Sequence, residues 1–114
     1  MRYSVSLRKK EEFKDVYKTG TYAAEKELIL HVKKNELGIN RLGISVSKKV
    51  GNSVVRHRIR RLVKEAYRIN EEKFGYGYDL VFSARKDTKD CTYLMIESVI
   101  FRLMKRTGVL SKTV

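Results

Sequence analysis

The sequence predicts an α+β domain in which helices pack on a single sheet. Three observations carry this. Residues 28–33 and 41–47 alternate apolar and polar side chains with period two, as half-buried strands do. Residues 9–19, 54–74 and 92–107 repeat apolar side chains at spacings of three and four, as amphipathic helices do. The short apolar run DLVFSA at 79–84 reads as a buried strand. The order is helix, two or three antiparallel strands, helix, strand, helix, which is the α+β class. Strand 41–47, the following helix and strand 79–84 form a parallel crossover unit. The expected order is therefore α-β-β-β-α-β-α around a mainly antiparallel sheet.

Taken along the chain, residues 3–7 form an extended arm. The helix at 9–19 closes at Gly20, a residue common just past a helix C-terminus. Phe13, Val16 and Tyr17 share one side of it. Such a stripe is core by default; the alternative is that Phe13 and Tyr17 offer a stacking surface to bases. Residues 22–24 add a short strand. In the next strand Leu28, Leu30 and Val32 face one way, and Ile29, His31 and Lys33 the other. NELGIN at 35–40 is a turn. In 41–47, Leu42, Ile44 and Val46 oppose Gly43, Ser45 and Ser47. That small, hydroxylated face leaves room for a polymer, although an ordinary solvated face has the same pattern. Gly75-Tyr76-Gly77 is a flexible link. Thr92 caps a last helix that ends at Gly108, with Met95, Ile96, Val99, Ile100, Leu103 and Met104 as its core stripe.

The helix between these strands is the unusual element. Residues 48–68, KKVGNSVVRHRIRRLVKEAYR, hold eight cations against the single acid Glu65. At about 100° per residue, Val55, Ile59, Leu62, Val63, Ala66 and Ile69 share a broad apolar face. His57, Arg60, Arg61, Lys64 and Arg68 fall opposite. Ser53 or Asn52 is the N-cap. A first turn ordinarily carries acids, because the N-terminal end of the macrodipole is positive. Here it carries Arg56, with His57 and Arg58 behind, at a cost of about 0.3–1 kcal/mol per charge. A phosphate would relieve that cost and accept the free N–H groups. A solvated basic helix is the plainer reading, but the cation density and the misplaced charge favour phosphate.

Composition agrees. The chain has 114 residues, the length of one domain, and a net charge of +13. A charged fraction of 34% with a pI near 10 is the footprint of a nucleic-acid binder. One cysteine, Cys91, excludes an internal disulfide or a cysteine-based zinc site and fits a reducing compartment. No apolar run approaches the roughly 18 residues of a membrane span, and the N-terminus lacks a signal-peptide apolar segment. These features predict a soluble cytoplasmic protein. His31 and His57 are the only histidines, and no ligand-spaced His/Cys/Asp set or P-loop occurs. Adjacent acids such as Glu11–Glu12 and Glu71–Glu72 read as solvated helix faces.

RLGISVSKKVGNSVVRHRIRRLVKEAYR closely resembles the signature region of the protein subunit of bacterial ribonuclease P. RKKEEFKDVY is similar to the family's N-terminal pattern, and FSARKDTKDCTY to its segment before the last helix. The resemblance implies a single RNA-binding domain over residues 1–114 with a ribosomal-protein-S5-like fold and a left-handed βαβ crossover, against the general right-handed rule. It implies a partner, the ribonuclease P catalytic RNA, and a substrate, precursor tRNA. The complex would remove the 5′ leader and leave a 5′-phosphate. The RNA would carry the active site and its Mg²⁺, while the protein raises substrate and metal affinity. The family's Arg-rich motif maps onto Arg56, His57, Arg58, Arg60 and Arg61. Lys64 and Arg68 continue it, and Lys48 and Lys49 lead into it. The leader-binding cleft maps onto Phe13, Tyr17, His31, Ser45 and Ser47. Two positions depart from the family pattern: His57 stands at a usual Asn, and His31 where an aromatic is frequent. Charge and size alone also allow a structural RNA-binding protein such as a ribosomal component; a self-contained nuclease is the third reading.

Overall fold

The computed structural model describes residues 4–110. Its elements are β1 (Ser4–Ser6), α1 (Lys10–Thr19), β2 (Thr21–Ala24), β3 (Leu28–Lys34), β4 (Asn40–Ser45), α2 (Ser53–Asn70), β5 (Tyr78–Ala84) and α3 (Tyr93–Arg106). Short 3₁₀ turns at Glu71–Lys73 and Lys86–Asp90 flank β5. The α+β class stands.

The sheet runs β1-β4-β5-β3-β2. β1–β4 and β4–β5 are parallel; β5–β3 and β3–β2 are antiparallel. The sheet is thus mixed, not mainly antiparallel. The difference arises at the N-terminus, where the expected arm is an edge strand; residue 3, its first, lies outside the described residues. Three residues are too few to show a period of two. Their pairing is decided by the partner strand and by a 2.6 Å hydrogen bond between the Ser4 and Tyr67 hydroxyls.

One sheet face, with Leu28, Leu30, Val32, Leu42, Leu80 and Phe82, is covered by α2 and α3 and holds the main core. Each such side chain, fully buried, contributes about 1.5–3 kcal/mol. The other face is crossed by α1, whose Val16 is buried against Leu7 and Val81. The buried arc of α2 is Ile59, Val63, Ala66 and Tyr67. Ile69, expected in it, is 56% exposed. Tyr67 takes its place because it lies four residues beyond Val63, and its hydroxyl finds partners inside. Asn40 supplies one at 3.0 Å.

Asn40 also corrects the turn expected over 35–40, because it is fully buried and opens β4. Its amide donates to the Gly75 carbonyl at 2.8 Å, and its Oδ1 accepts the Tyr78 N–H at 2.9 Å. The side chain therefore seats the 75–77 link. β4 ends at Ser45, two residues early, and the chain then turns with a Val50 N–H to Ser47 carbonyl bond of 3.1 Å. Gly20 does close α1, but in extended conformation. Its glycine is needed because a Cβ would lie 2.5 Å from the Val32 carbonyl oxygen. Gly108, at φ +79°, ends α3 in the left-handed conformation that glycine tolerates.

A charge cluster fixes α1 to the sheet. Arg41 grips the buried Asp79 with two bonds of 2.8 and 2.7 Å and also pairs with Glu12 of α1. Asn35 adds a 2.9 Å bond to Asp79. Burial would push the Asp79 carboxyl up; Arg41 and Asn35 outweigh it and hold the group below the ordinary carboxylate value. Lys33 pairs with Asp15 on the same side.

Candidate nucleic-acid interface

Asn52, not Ser53, caps α2: its Oδ1 accepts the Val55 N–H at 3.0 Å. The first turn contains no acid, and Lys48 and Lys49 stand exposed in the turn before it. Arg56 is half-buried, and its Nε is buried without a hydrogen-bond partner.

The remaining basic-motif side chains divide three ways. His57, Arg61, Lys64 and Arg68 line an open groove of about 1020 Å³ along α2. Within it, Arg68 is tied to Glu65, whose carboxyl this contact holds below its ordinary value. Arg58 also borders the groove, but its guanidinium donates to the Cys91 carbonyl at 2.9 Å, pinning α2 to the start of α3. Arg60 points elsewhere, into a second groove beside α1. Arg60, Arg61 and Lys64 have no acidic partner among the described residues.

The second groove, of about 350 Å³, is walled by Phe13 and Tyr17 of α1 and by Ser45 with its neighbours Ile44 and Val46. Arg8, Lys10 and Lys14 edge it on the α1 side. Gly43 makes this geometry possible, because a Cβ there would lie 2.7 Å from the Phe13 ring. Of the α1 stripe only Val16 is fully buried; Phe13 is half-buried and Tyr17 is 41% exposed. The core reading thus holds for Val16 and in part for Phe13, which packs against the same cluster, while Tyr17 and the outer side of Phe13 border the groove.

His31 lies behind this wall. Tyr17 meets it edge-on at 4.8 Å, and Tyr22 stacks on it at 5.5 Å. Burial pushes the His31 ring below the ordinary histidine value, so it is neutral at pH 7. Ser47 is exposed in the turn beyond β4 and does not line the groove. Sequence reasoning did not single out Tyr22, which is placed by its register opposite His31. It also passed over Lys10 and Lys14, whose four-residue spacing was the available signal.

Among the described residues, no three His, Cys, Asp or Glu side chains gather where a metal could be held. Cys91 is buried, and burial raises its thiol pKa, leaving it protonated and unreactive near neutrality. No helix of the described residues is long and apolar enough to cross a membrane.

The crowded cations of α2 predict a response of the isolated protein to anions. Self-repulsion opposes folding. Sulfate or pyrophosphate, binding only the folded form, should raise the Tm with concentration. A Tm that responds equally to sulfate and chloride at matched ionic strength would remove the anion site from α2.

A mixed sheet that presents a cationic helix beside an aromatic-walled groove is the build of a basic RNA-binding domain. The family model for ribonuclease P matches residues 1–108. The chain is 49% identical over 104 residues to the ribonuclease P protein component of Clostridium botulinum strain Langeland, covering 90% of this chain and 94% of that one. It is 50% identical over 110 residues to that of Lachnoclostridium phytofermentans, covering 96% and 95%. The solved RNase P protein of Staphylococcus aureus matches with a TM-score of 0.86 at 32% identity, covering 93% and 97%. That of Thermotoga maritima matches at 0.82 and 27%, covering 89% and 96%. The chain belongs to the ribonuclease P protein family, the protein component of a ribonucleoprotein endonuclease whose catalytic site lies in its RNA.

Proposed function

We propose that the chain binds the ribonuclease P catalytic RNA through α2 and the 5′ leader of precursor tRNA in the groove between α1 and β4. The observation that carries this is the meeting of the two surfaces at Arg60. That residue belongs to the cationic helix by sequence and to the aromatic-walled groove by position. A leader is single-stranded, so its bases are free to stack on Phe13 and Tyr17. Ser45 gives the opposite wall a small hydroxylated surface. His31 supports Tyr17 from behind. Lys48, Lys49, Arg56 and the α2 cations neutralise RNA phosphates near the leader's exit. In this reading the RNA holds the Mg²⁺ ions, and the protein raises affinity for substrate and metal by fixing the substrate against them. The complex acts in the cytoplasm.

Reconstitution tests this. The protein alone should cleave nothing; added to the catalytic RNA at low Mg²⁺, it should increase precursor-tRNA cleavage. Failure to stimulate that RNA would favour a structural RNA-binding role such as a ribosomal one. Cleavage by the protein alone would favour a self-contained nuclease.

The groove has its own test. Stacking contributes about 1–3 kcal/mol per base, so Phe13→Ala should weaken precursor binding about tenfold or more and leave mature-tRNA binding unchanged. A fully buried phenylalanine would instead cost about 3–5 kcal/mol of folding stability. Tyr17→Ala, at a more exposed position, separates the two effects: precursor affinity should fall with the Tm nearly constant. Equal losses for both tRNAs would remove the leader from the groove.

A further inference from the structure

The groove beside α1 has cations on both rims, and only the α2 rim belongs to the Arg-rich segment. α1 carries the acids Glu11, Glu12 and Asp15. Glu12 is committed to Arg41 and Asp15 to Lys33, both on the sheet. That sorting leaves Lys10 and Lys14 on the groove edge, one helical turn apart, beside Tyr17. Like charges at this spacing repel each other weakly, and a bound anion would relieve that repulsion. Across the groove stands Arg60.

We propose that Lys10 and Lys14 form a phosphate-binding rim for the substrate leader, holding its backbone along α1 while its bases turn toward Tyr17 and Ser45. The proposal rests on the leader reading above and adds to it the side on which the backbone runs. The two lysines are separated by four residues, about 6 Å along the helix axis. That is comparable to the step between successive phosphates of an extended strand, so each lysine meets one phosphate. An aromatic wall with cations on both edges suits a single strand, whose bases and phosphates project in different directions. The rim is independent of sequence, because lysine contacts to phosphate carry no base information.

The test uses the reconstituted holoenzyme, with precursor tRNA bearing a five-nucleotide leader and mature tRNA, across about 0.1–0.8 M monovalent salt. The quantity read is the ratio of precursor to mature affinity. A single-strand phosphate contact contributes about 0.7 to the log–log salt slope. Lys10→Gln/Lys14→Gln should therefore lower the slope of the ratio by about 1.4 and reduce precursor affinity about 25-fold at 0.1 M, with mature-tRNA affinity unchanged. Lys10→Arg/Lys14→Arg should restore both, and Lys18→Gln, a cation of α1 outside the groove lining, should change neither. A salt slope that the glutamine variant leaves unchanged, while Tyr17→Ala still lowers the ratio, would overturn the rim and leave the leader groove standing. If neither variant changes the ratio, the leader reading fails and the rim with it. Equal loss for both tRNAs would also overturn the rim, by placing the lysines against the tRNA body or the catalytic RNA.

Discussion

Arg61→Ala/Lys64→Ala should weaken binding to the catalytic RNA by one to two orders of magnitude at 0.1 M salt and leave the fold intact. Both side chains are exposed on α2 and neither has an acidic partner among the described residues. Each proposed phosphate contact releases a counterion and contributes about 0.7–0.9 to the log–log salt slope. Losing two should reduce the slope by about 1.4–1.8 and affinity by roughly 25- to 60-fold at 0.1 M. Stability should stay within about 0.5 kcal/mol, and a small gain is the favoured direction because two repelling cations are removed. The choice of these two residues follows from the structure. Arg68 is occupied by Glu65, Arg58 by the Cys91 carbonyl, and Arg60 faces the other groove. Arg58→Ala should accordingly lower the Tm as well as affinity. An unchanged salt slope in the double variant would remove RNA binding from this face.

Arg41→Ala should have the largest effect on the fold, about 3–5 kcal/mol, because it leaves a buried carboxylate without its cation. The Asp79 side chain is 3% exposed, and of its hydrogen-bond partners among the described residues Asn35 alone would remain. The loss is a large share of the roughly 5–15 kcal/mol that holds a small domain together, so sulfate is needed to keep the variant measurable. The pH profile gives a second signature. In the native protein the Asp79 pKa lies below its ordinary value. Its stabilisation is therefore present above the unfolded carboxylate range near 4 and lost as pH falls through the folded value. In Arg41→Ala, burial is no longer opposed by the guanidinium and pushes the carboxyl up. The penalty should then shrink as pH falls from about 6 to 4, a window in which the native contribution of the pair is still nearly constant. Denaturant midpoints of both proteins over this range should converge as pH falls; parallel profiles would mean that the pair does not hold the fold.

The elements that were legible in the sequence are those long enough to show a period. α1, α2, α3 and the strands β3, β4 and β5 all lie where apolar spacing put them, with ends displaced by a few residues. The cationic helix was legible because eight like charges in one segment signal an anionic partner whatever the packing. Elements that depend on a partner were not legible. β1 is three residues long and becomes a strand only by pairing with β4. Asn40 belongs to turn chemistry by type, yet its amide is saturated by Tyr67, Gly75 and Tyr78, which bring it inside.

The candidate site divides in the same way. Sequence by itself determined the α+β class, the amphipathic basic helix, the aromatic pair on α1 and, through the signature region, the family. The tertiary structure alone decided which cations remain available. The Glu65–Arg68 pair, three residues apart on one helix, is the exception and follows from spacing; anchoring of Arg58 by the Cys91 carbonyl is a long-range contact that spacing does not encode, and the turn of Arg60 toward α1 depends on how α2 sits on the sheet. It also decided that Phe13 and Tyr17 border a groove, because Gly43 on a separate strand leaves the space that the Phe13 ring enters. Periodicity reports what one element must bury. Which charges stay unpaired and where a groove opens are set by the elements packed against it.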